Sequence, residues 1–357
     1  MNRSMAISRD DRCSQASVRR FVASPDVAMV LTRFALAAVL YVLFGASITA
    51  GGDAASPHSS VSQSVPTRLV TDCQPAFPVE PRGLWENWRT KWLMKQSDKA
   101  AARAGRSPVC DGPMHIVKNV PYGPHCGQNL DLYLPVSTGF PVVVYVHGGS
   151  WIAEDKAMYE TVGRYFAVHG VGAVLLNYRL PPEADIQIEL QDAVSGVVWT
   201  SEHIACFGGD TGRLFLCGHS SGGHIVSVLG TDPEWLAGSG LSRQAIRGVI
   251  SVSGVYSIGI NVRSFGVGYL FRWTDLSTVN PEKQICGCPP PFLLVCAQHD
   301  FRYVKVQARR FSNTLRHEGG VAYEYIVANE DHYGQILDIA RLDDPLGARL
   351  LRFVLEN

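Results

Sequence analysis

Short apolar runs alternate with amphipathic stretches over the C-terminal two thirds of the chain. The runs are apolar, β-branched or aromatic, as strands buried in a parallel sheet are, and they lie at 141–146, 172–177, 214–217, 246–253, 292–296 and 323–327. Helical periodicity appears at 157–169, 188–203 and 306–318. Because strands separated by helices of this length form right-handed βαβ units, the pattern predicts an α/β fold: a mostly parallel sheet with helices on both faces.

The segment 258–284 interrupts this alternation. It contains glycine and several aromatic residues, among them Phe265, Tyr269, Phe271 and Trp273. One interpretation is a cap or lid over a binding pocket, since such lids are inserted between the elements of α/β domains. The alternative is a long loop packed on the body of the domain.

The N-terminal part of the chain has a different character. Residues 34–52 form an uncharged stretch of 19 residues, long enough to span a bilayer. Six arginines and three aspartates precede it, and positive residues stay on the cytosolic side. We therefore expect a single-pass anchor with the α/β domain on the non-cytosolic side. The alternative is a cleaved signal peptide and a secreted protein.

A linking region lies between this stretch and the α/β domain. Residues 53–66 are rich in Ser, Ala, Gly and Pro and are typical of a flexible tether. Farther on, Trp85, Trp88 and Trp92 recur at helical spacing among basic residues. This pattern fits either an interfacial helix on anionic lipid or a helix packed on the domain. The predicted organisation is a basic tail at 1–33, the anchor or signal segment at 34–52, a tether and Trp-rich extension at 53–119, and the α/β domain at 120–357.

Composition and charge narrow the range of partners. With 46% hydrophobic and 18% charged residues, the 357-residue chain has enough apolar material for one large domain plus an extension. Its formal net charge is zero, which argues against nucleic acid as a partner. No spacing indicates an oligomeric state.

The nine cysteines are scattered and odd in number. Cys217 and Cys296 fall within predicted buried strands, where they act as small apolar residues. Cys73, Cys110 and Cys126 are available for pairing if the compartment is oxidising.

Histidines and cysteines do not indicate a metal site. His147, His219 and His224 lack the helical His-x-x-x-His spacing, and Cys286 and Cys288 are only one residue apart. We therefore predict no metal and no cofactor.

The strand at 214–217 leads directly into Gly218-His219-Ser220-Ser221-Gly222, and a helix-like stretch follows. This G-x-S-x-G pattern between a strand and a helix is typical of a nucleophilic serine on a tight turn. Glycine is expected two residues on either side of Ser220, because a Cβ there would collide with the neighbouring backbone. The sequence therefore predicts Ser220 as a nucleophile.

The strand at 141–146 ends in His147-Gly148-Gly149-Ser150-Trp151. Glycines after a strand allow backbone N–H groups to converge on one point. The N–H groups of Gly148, Gly149 and Ser221 are therefore candidates for an oxyanion hole, where losing one donor raises the barrier by about 2.7–4 kcal/mol.

An acid and a base follow in the order that a serine triad requires on this architecture. Asp300 follows the strand at 292–296, and His332 follows the strand at 323–327. In that scheme His332 accepts the proton of Ser220 and Asp300 orients the imidazole. Glu330 and Asp331 are rivals for the acidic role, because they adjoin His332.

From about residue 120 to the C-terminus, the chain resembles the α/β-hydrolase superfamily in its esterase branch. Its two glycine motifs look most like the group of arylformamidases, feruloyl esterases and prenylcysteine methylesterases. The segments that carry the resemblance are 130–135, 147–151, 177–180, 208–210 and 218–224. The resemblance implies an α/β-hydrolase fold and a triad of Ser220, Asp300 and His332.

The expected activity is hydrolysis of a carboxylic ester, from a small molecule or a lipid-like substrate, through an acyl-enzyme. Two alternatives use the same groups: formamide hydrolysis, as in arylformamidases, and demethylation of a prenylcysteine methyl ester. A further alternative is a non-catalytic α/β-hydrolase that only binds a ligand.

Overall fold

The computed structural model describes residues 88–105, 110–259, 267–272, 274–339 and 344–357, all within one compact unit. The predicted tail, the anchor or signal segment 34–52 and the tether 53–66 lie outside these residues. The described portion contains no helix with the length and apolar character needed to cross a membrane.

An eight-stranded sheet forms the centre of the fold, in the order β1-β2-β4-β3-β5-β6-β7-β8. The strands are β1 Met114–Pro121, β2 Asn129–Pro135, β3 Phe140–Val146, β4 Gly172–Leu176, β5 Gly209–His219, β6 Ile246–Val252, β7 Phe292–Ala297 and β8 Ala322–Val327. Pairs β1–β2 and β2–β4 are antiparallel, and the other five pairs are parallel. The predicted mostly parallel sheet is confirmed. It begins at β1, six residues before the predicted boundary at 120.

The helices connect the strands over both faces of the sheet. They are α1 Trp88–Ala104, α2 Glu160–Val168, α3 Ile186–His203, α4 Ser221–Thr231, α5 Glu234–Ala237, α6 Arg302–His317, α7 Gly334–Leu337 and α8 Pro345–Glu356. Helix α3 begins where the Asp185 carboxylate accepts hydrogen bonds from the N–H groups of Gln187 and Ile188, both 3.0 Å away. Helix α6 starts four residues before the predicted 306, because Val304 is also buried on its inner face.

The core has a layer on each face of the sheet. All seven residues of β3 are buried. Val142, Val144 and Val146 pack into one apolar cluster, whereas Val143 and Tyr145 pack into the other. Both faces are therefore covered, and this explains why the strand reads as a continuous apolar run.

The segment between β6 and β7 packs onto the body of the domain where it is described. It contains three short 3₁₀ helices, Gly268–Phe271, Leu276–Val279 and Pro281–Lys283. The Asn280 side chain anchors it to Ile258, accepting from the Ile258 N–H and donating to its carbonyl oxygen. Residues 260–266 and Trp273, which belong to the predicted cap or packed loop, lie outside the described residues.

The cysteines differ from the expectation in one respect. Of the three cysteines expected to be available for pairing, Cys126 is a free thiol and Cys73 lies outside the described residues, whereas Cys286, which was not among them, is disulfide-bonded. Cys110 is buried in a region of irregular backbone, where it acts as an apolar residue. Cys217 and Cys296 are buried in β5 and β7, as predicted.

Candidate active site

Ser220 lies on the turn between β5 and α4, at the carboxyl edge of the sheet. Its backbone is left-handed, with φ 53°, and its N–H donates to the Val252 carbonyl oxygen at 2.8 Å. A Cβ on Gly222 would lie 2.1 Å from the Val146 carbonyl oxygen. The turn therefore fits only with glycine at this position. It holds the half-buried Ser220 at the positive end of the α4 dipole.

His332 connects Ser220 to Asp300. Its Nε2 lies 3.1 Å from Ser220 Oγ, and its Nδ1 lies 2.8 Å from Asp300 Oδ1. Both His332 and Asp300 are largely buried, with 7% and 6% of their surface exposed. The three predicted residues therefore meet in one hydrogen-bonded line, although they are distant in sequence.

The rival carboxylates point elsewhere. Glu330 and Asp331 form ion pairs with Arg103 of α1, at 3.5 Å and 3.3 Å. Asp331 also accepts from the Gly334 N–H at 2.7 Å, at the start of α7. Among the carboxylates at this edge, Asp300 is the one hydrogen-bonded to the imidazole of His332.

The Asp300 carboxylate is stabilised in its ionised form. Burial alone would raise its pKa, but hydrogen bonds from His332, from the Ser253 hydroxyl and from the Phe301 N–H outweigh burial and lower it. Ser253 in turn accepts from Gln335 Nε2 at 2.5 Å, and Gln335 also donates to the His332 carbonyl oxygen at 3.2 Å. Neither Ser253 nor Gln335 was predicted as a site residue; the one sequence signal for Ser253 was a polar residue at the end of the apolar run 246–253.

The predicted oxyanion donors lie on two turns at the same edge. Gly149 has φ 105°, and a Cβ there would lie 1.9 Å from the Ala153 carbonyl oxygen, so this tight turn requires glycine. Ser221 occupies the first turn of α4, where N–H groups have no partner within the helix. Within the described residues, neither the Gly149 N–H nor the Ser221 N–H donates a hydrogen bond. Gly148 lies against the turn that carries Ser220, since a Cβ on it would lie 3.0 Å from His219 Nδ1.

The three other histidines near the site are buried and neutral. Burial lowers the pKa of His147 and of His224 to about 4, and burial together with the nearby His332 lowers the pKa of His219 to about 3. His147 stacks on Tyr178, and His224 accepts from Trp151 Nε1 at 3.2 Å. The described residues contain no group of three or more His, Cys, Asp or Glu side chains suited to a metal ion.

These neutral histidines predict destabilisation in acid. Their pKa values lie below the unfolded value of about 6.5, so the unfolded state binds more protons as the pH falls below that value. The contribution of these histidines to stability should be constant above pH 7 and decrease from about pH 6.5 towards pH 4, by up to ~1.4 kcal/mol per unit of pKa shift for each histidine. Thermal unfolding at pH 7.5, 6 and 5 measures this decrease.

A His224→Gln variant removes one of these groups, so its melting temperature should fall less between pH 7.5 and pH 5 than that of the wild type. Ser195→Ala, at an exposed position of α3 whose side chain does not titrate in this range, supplies the control and should show the same decrease as the wild type. A melting temperature that is constant down to pH 5 would contradict the neutral assignment.

The arrangement can transfer a proton from a hydroxyl to an imidazole beside an ionised carboxylate. Two unengaged N–H groups lie on adjoining turns, suited to an anionic oxygen. These are the groups that nucleophilic attack on a carbonyl requires.

Comparison with known proteins finds relatives whose names describe hydrolases. Residues 130–256 match the family model BD-FAE. The chain is 30% identical to a probable isoprenylcysteine alpha-carbonyl methylesterase of Arabidopsis thaliana over 61% of this chain and 51% of that protein. It is 29% identical to a kynurenine formamidase of Danio rerio, over 74% and 93% of the two chains. The chain spans about half the length of the plant relatives that it matches.

Solved structures share the fold. A crystal structure of esterase B from Lactobacillus rhamnosis, inhibited by a tributyrin phosphonate, superposes with a TM-score of 0.67 at 20% identity, over 76% of this chain and 96% of that one. At this level of identity, the likeness shows the fold alone.

Proposed function

We propose that this chain, which has an α/β-hydrolase-like fold and matches the BD-FAE family model over residues 130–256, is a serine hydrolase that cleaves a carboxylic ester through an acyl-enzyme intermediate. One observation carries the proposal: the unbroken line of hydrogen bonds from Ser220 Oγ through His332 to Asp300. A serine hydroxyl is a weak nucleophile unless a base accepts its proton, and His332 Nε2 is within reach of that proton.

In the first step, Ser220 Oγ attacks the ester carbonyl carbon and His332 Nε2 accepts the hydroxyl proton. The Asp300 carboxylate holds Nδ1–H of the imidazole at 2.8 Å and stabilises the imidazolium that forms. Negative charge develops on the carbonyl oxygen, and the N–H groups of Gly148, Gly149 and Ser221 are the proposed donors to it.

Collapse of the tetrahedral intermediate breaks the bond to the leaving alcohol. His332 Nε2–H donates its proton to the departing oxygen, which leaves Ser220 acylated. Water then attacks the acyl carbon, with His332 again accepting a proton, and the acid is released as Ser220 regains its hydrogen. The sequence of steps uses only protein groups and water.

Two narrower activities use the same groups. Relatives named isoprenylcysteine methylesterase and kynurenine formamidase favour a methyl ester or an N-formyl group as the reacting bond. A prenylcysteine methyl ester also fits the membrane segment that the sequence predicts. Of these, we propose ester cleavage in general, because it requires nothing beyond the residues described.

A fluorophosphonate probe and a substrate panel test the proposal. The probe should label wild-type protein, and labelling should be absent in Ser220→Ala. The panel consists of p-nitrophenyl esters of rising acyl length, N-formylkynurenine and a prenylcysteine methyl ester. Hydrolysis of the esters supports the proposal, and hydrolysis of one of the other two substrates alone would replace it with the narrower activity. A protein that neither reacts with the probe nor hydrolyses any substrate is the non-catalytic alternative.

We also propose that the α/β domain functions on the non-cytosolic side of a membrane, anchored through 34–52. The excess of arginine before that stretch supports this orientation. The disulfide at Cys286 also supports it, because disulfides persist in oxidising compartments. Alkaline carbonate extraction of membranes should leave the protein in the pellet. Release into the medium would instead support the cleaved signal peptide.

A further inference from the structure

A second set of hydrogen bonds joins the turns of the candidate active site, and Glu154 lies at its centre. Glu154 follows the Gly148-Gly149 turn by five residues. The Tyr159 hydroxyl lies 2.7 Å from Glu154 Oε2, and the Tyr333 hydroxyl donates to Glu154 Oε1 at 3.0 Å. Tyr333 is the residue after His332, so the carboxylate connects the glycine turn directly to the histidine turn.

A separate hydrogen bond joins the nucleophile turn to the histidine turn. His219 directly precedes Ser220, and its Nε2–H donates to the His332 carbonyl oxygen at 2.9 Å. The Tyr159 hydroxyl, whose proton goes to Glu154, lies 3.1 Å from His219 Nδ1 and packs against it. The Glu154 carboxylate therefore holds the glycine turn to the histidine turn, and His219 holds the nucleophile turn to the histidine turn.

The backbone at Glu154 is strained. Its φ is 77°, in the left-handed region that favours glycine. A residue other than glycine persists there only where its surroundings fix it. The two tyrosine hydroxyls supply that constraint. The neighbouring Asp155 already stabilises the next turn, accepting from the Ala157 N–H at 2.8 Å and from Asn177 Nδ2 at 2.5 Å. The turn therefore has an anchor that does not depend on the Glu154 carboxylate.

We propose that Glu154 is a positioning residue, which fixes the distance between the oxyanion donors of the Gly148-Gly149 turn and the imidazole of His332. The inference rests on the proposed function. The two turns follow different strands, β3 and β8, which lie on opposite sides of β5 in the sheet. Their spacing is therefore set by contacts between the turns, and displacements near 1 Å can reduce turnover about 100-fold.

Glu154→Gly is the informative substitution, because it removes the carboxylate and also relieves the left-handed strain. With a p-nitrophenyl ester, kcat per probe-labelled site should fall about 10- to 100-fold. KM should change less than threefold, and the melting temperature should stay equal or rise. Glu154→Gln keeps the length and one acceptor oxygen, so its kcat should be closer to the wild type than to Glu154→Gly. Glu202→Gln, on an exposed position of α3, is the control and should match the wild type.

A double-mutant comparison distinguishes a positioning role of Glu154 from a general loss of rigidity in the active-site turns. Tyr333→Phe should lower kcat by itself, and Glu154→Gly combined with Tyr333→Phe should be no slower than the slower single variant, because both remove the same link. The inference is overturned if Glu154→Gly keeps kcat within twofold, if the Gln variant is as slow as the Gly variant, or if the two single losses multiply. A wild-type protein that is inactive and unlabelled would instead refute the proposed function.

Discussion

Replacing Ser220 by alanine should reduce kcat about 10⁴- to 10⁶-fold while the protein stays folded. The substitution removes the atom that His332 Nε2 contacts at 3.1 Å, and therefore the nucleophile of the first step. It leaves the left-handed turn and its glycines in place, so the fold should persist. Steady-state hydrolysis of a p-nitrophenyl ester, together with a thermal unfolding curve, measures both effects.

Ser195→Ala is the matched control, because Ser195 is an exposed serine of α3 whose hydroxyl bonds only within its own helix, to the Gln191 carbonyl oxygen at 2.9 Å. Its kcat should equal that of the wild type. If Ser220→Ala retains more than about one per cent of the activity while fully folded, the reaction does not pass through an ester of Ser220.

Asp300→Asn should lower kcat about 10³- to 10⁴-fold. An asparagine keeps the shape of the side chain, but its amide favours the wrong tautomer of His332 and cannot stabilise the imidazolium. The hydrogen bonds that lower the pKa of Asp300 show that the site is built for an anion. The pH profile of kcat/KM, measured in parallel for both proteins, reports the protonation of the base.

Variants of Glu330 and Asp331, the two acidic residues next to His332, test which carboxylate is the acid of the proposed triad. Glu330→Gln and Asp331→Asn should each stay within about threefold of the wild-type kcat, because both carboxylates pair with Arg103 rather than with the imidazole. A large loss in either variant, with Asp300→Asn nearly as active as the wild type, would transfer the acidic role to that residue.

Strand positions and the order of the sheet-edge residues could be predicted from sequence because their causes are local. A strand such as β3 is buried on both faces, so its position can be predicted from its apolar run alone. The nucleophile turn could also be predicted from sequence. The space around Gly222 admits no Cβ, so glycine is required there and the G-x-S-x-G spacing identifies the turn. The residue types Ser, Asp and His after strands β5, β7 and β8 then indicated which side chains meet.

Residues that act through distant partners were not predictable in this way. Ser253, Gln335 and Glu154 acquire their roles only when separate turns come together, and each is an ordinary polar residue in its own segment. The disulfide at Cys286 was missed for a related reason: cysteine spacing carries no connectivity when the number is odd. The early start of α6 was missed because Arg302 and Tyr303 do not continue its apolar periodicity.

The segment between β6 and β7 is attached beside the candidate active site. His224, one turn beyond the nucleophile, lies 2.7 Å from the Val279 carbonyl oxygen, and Phe271 of the same segment packs edge-on against Trp151. Both contacts are made to residues outside the strands, His224 in α4 and Trp151 in the loop after β3. This segment therefore contacts residues that directly follow the Ser220 and Gly149 turns, so a change in its packing reaches those turns without passing through a strand.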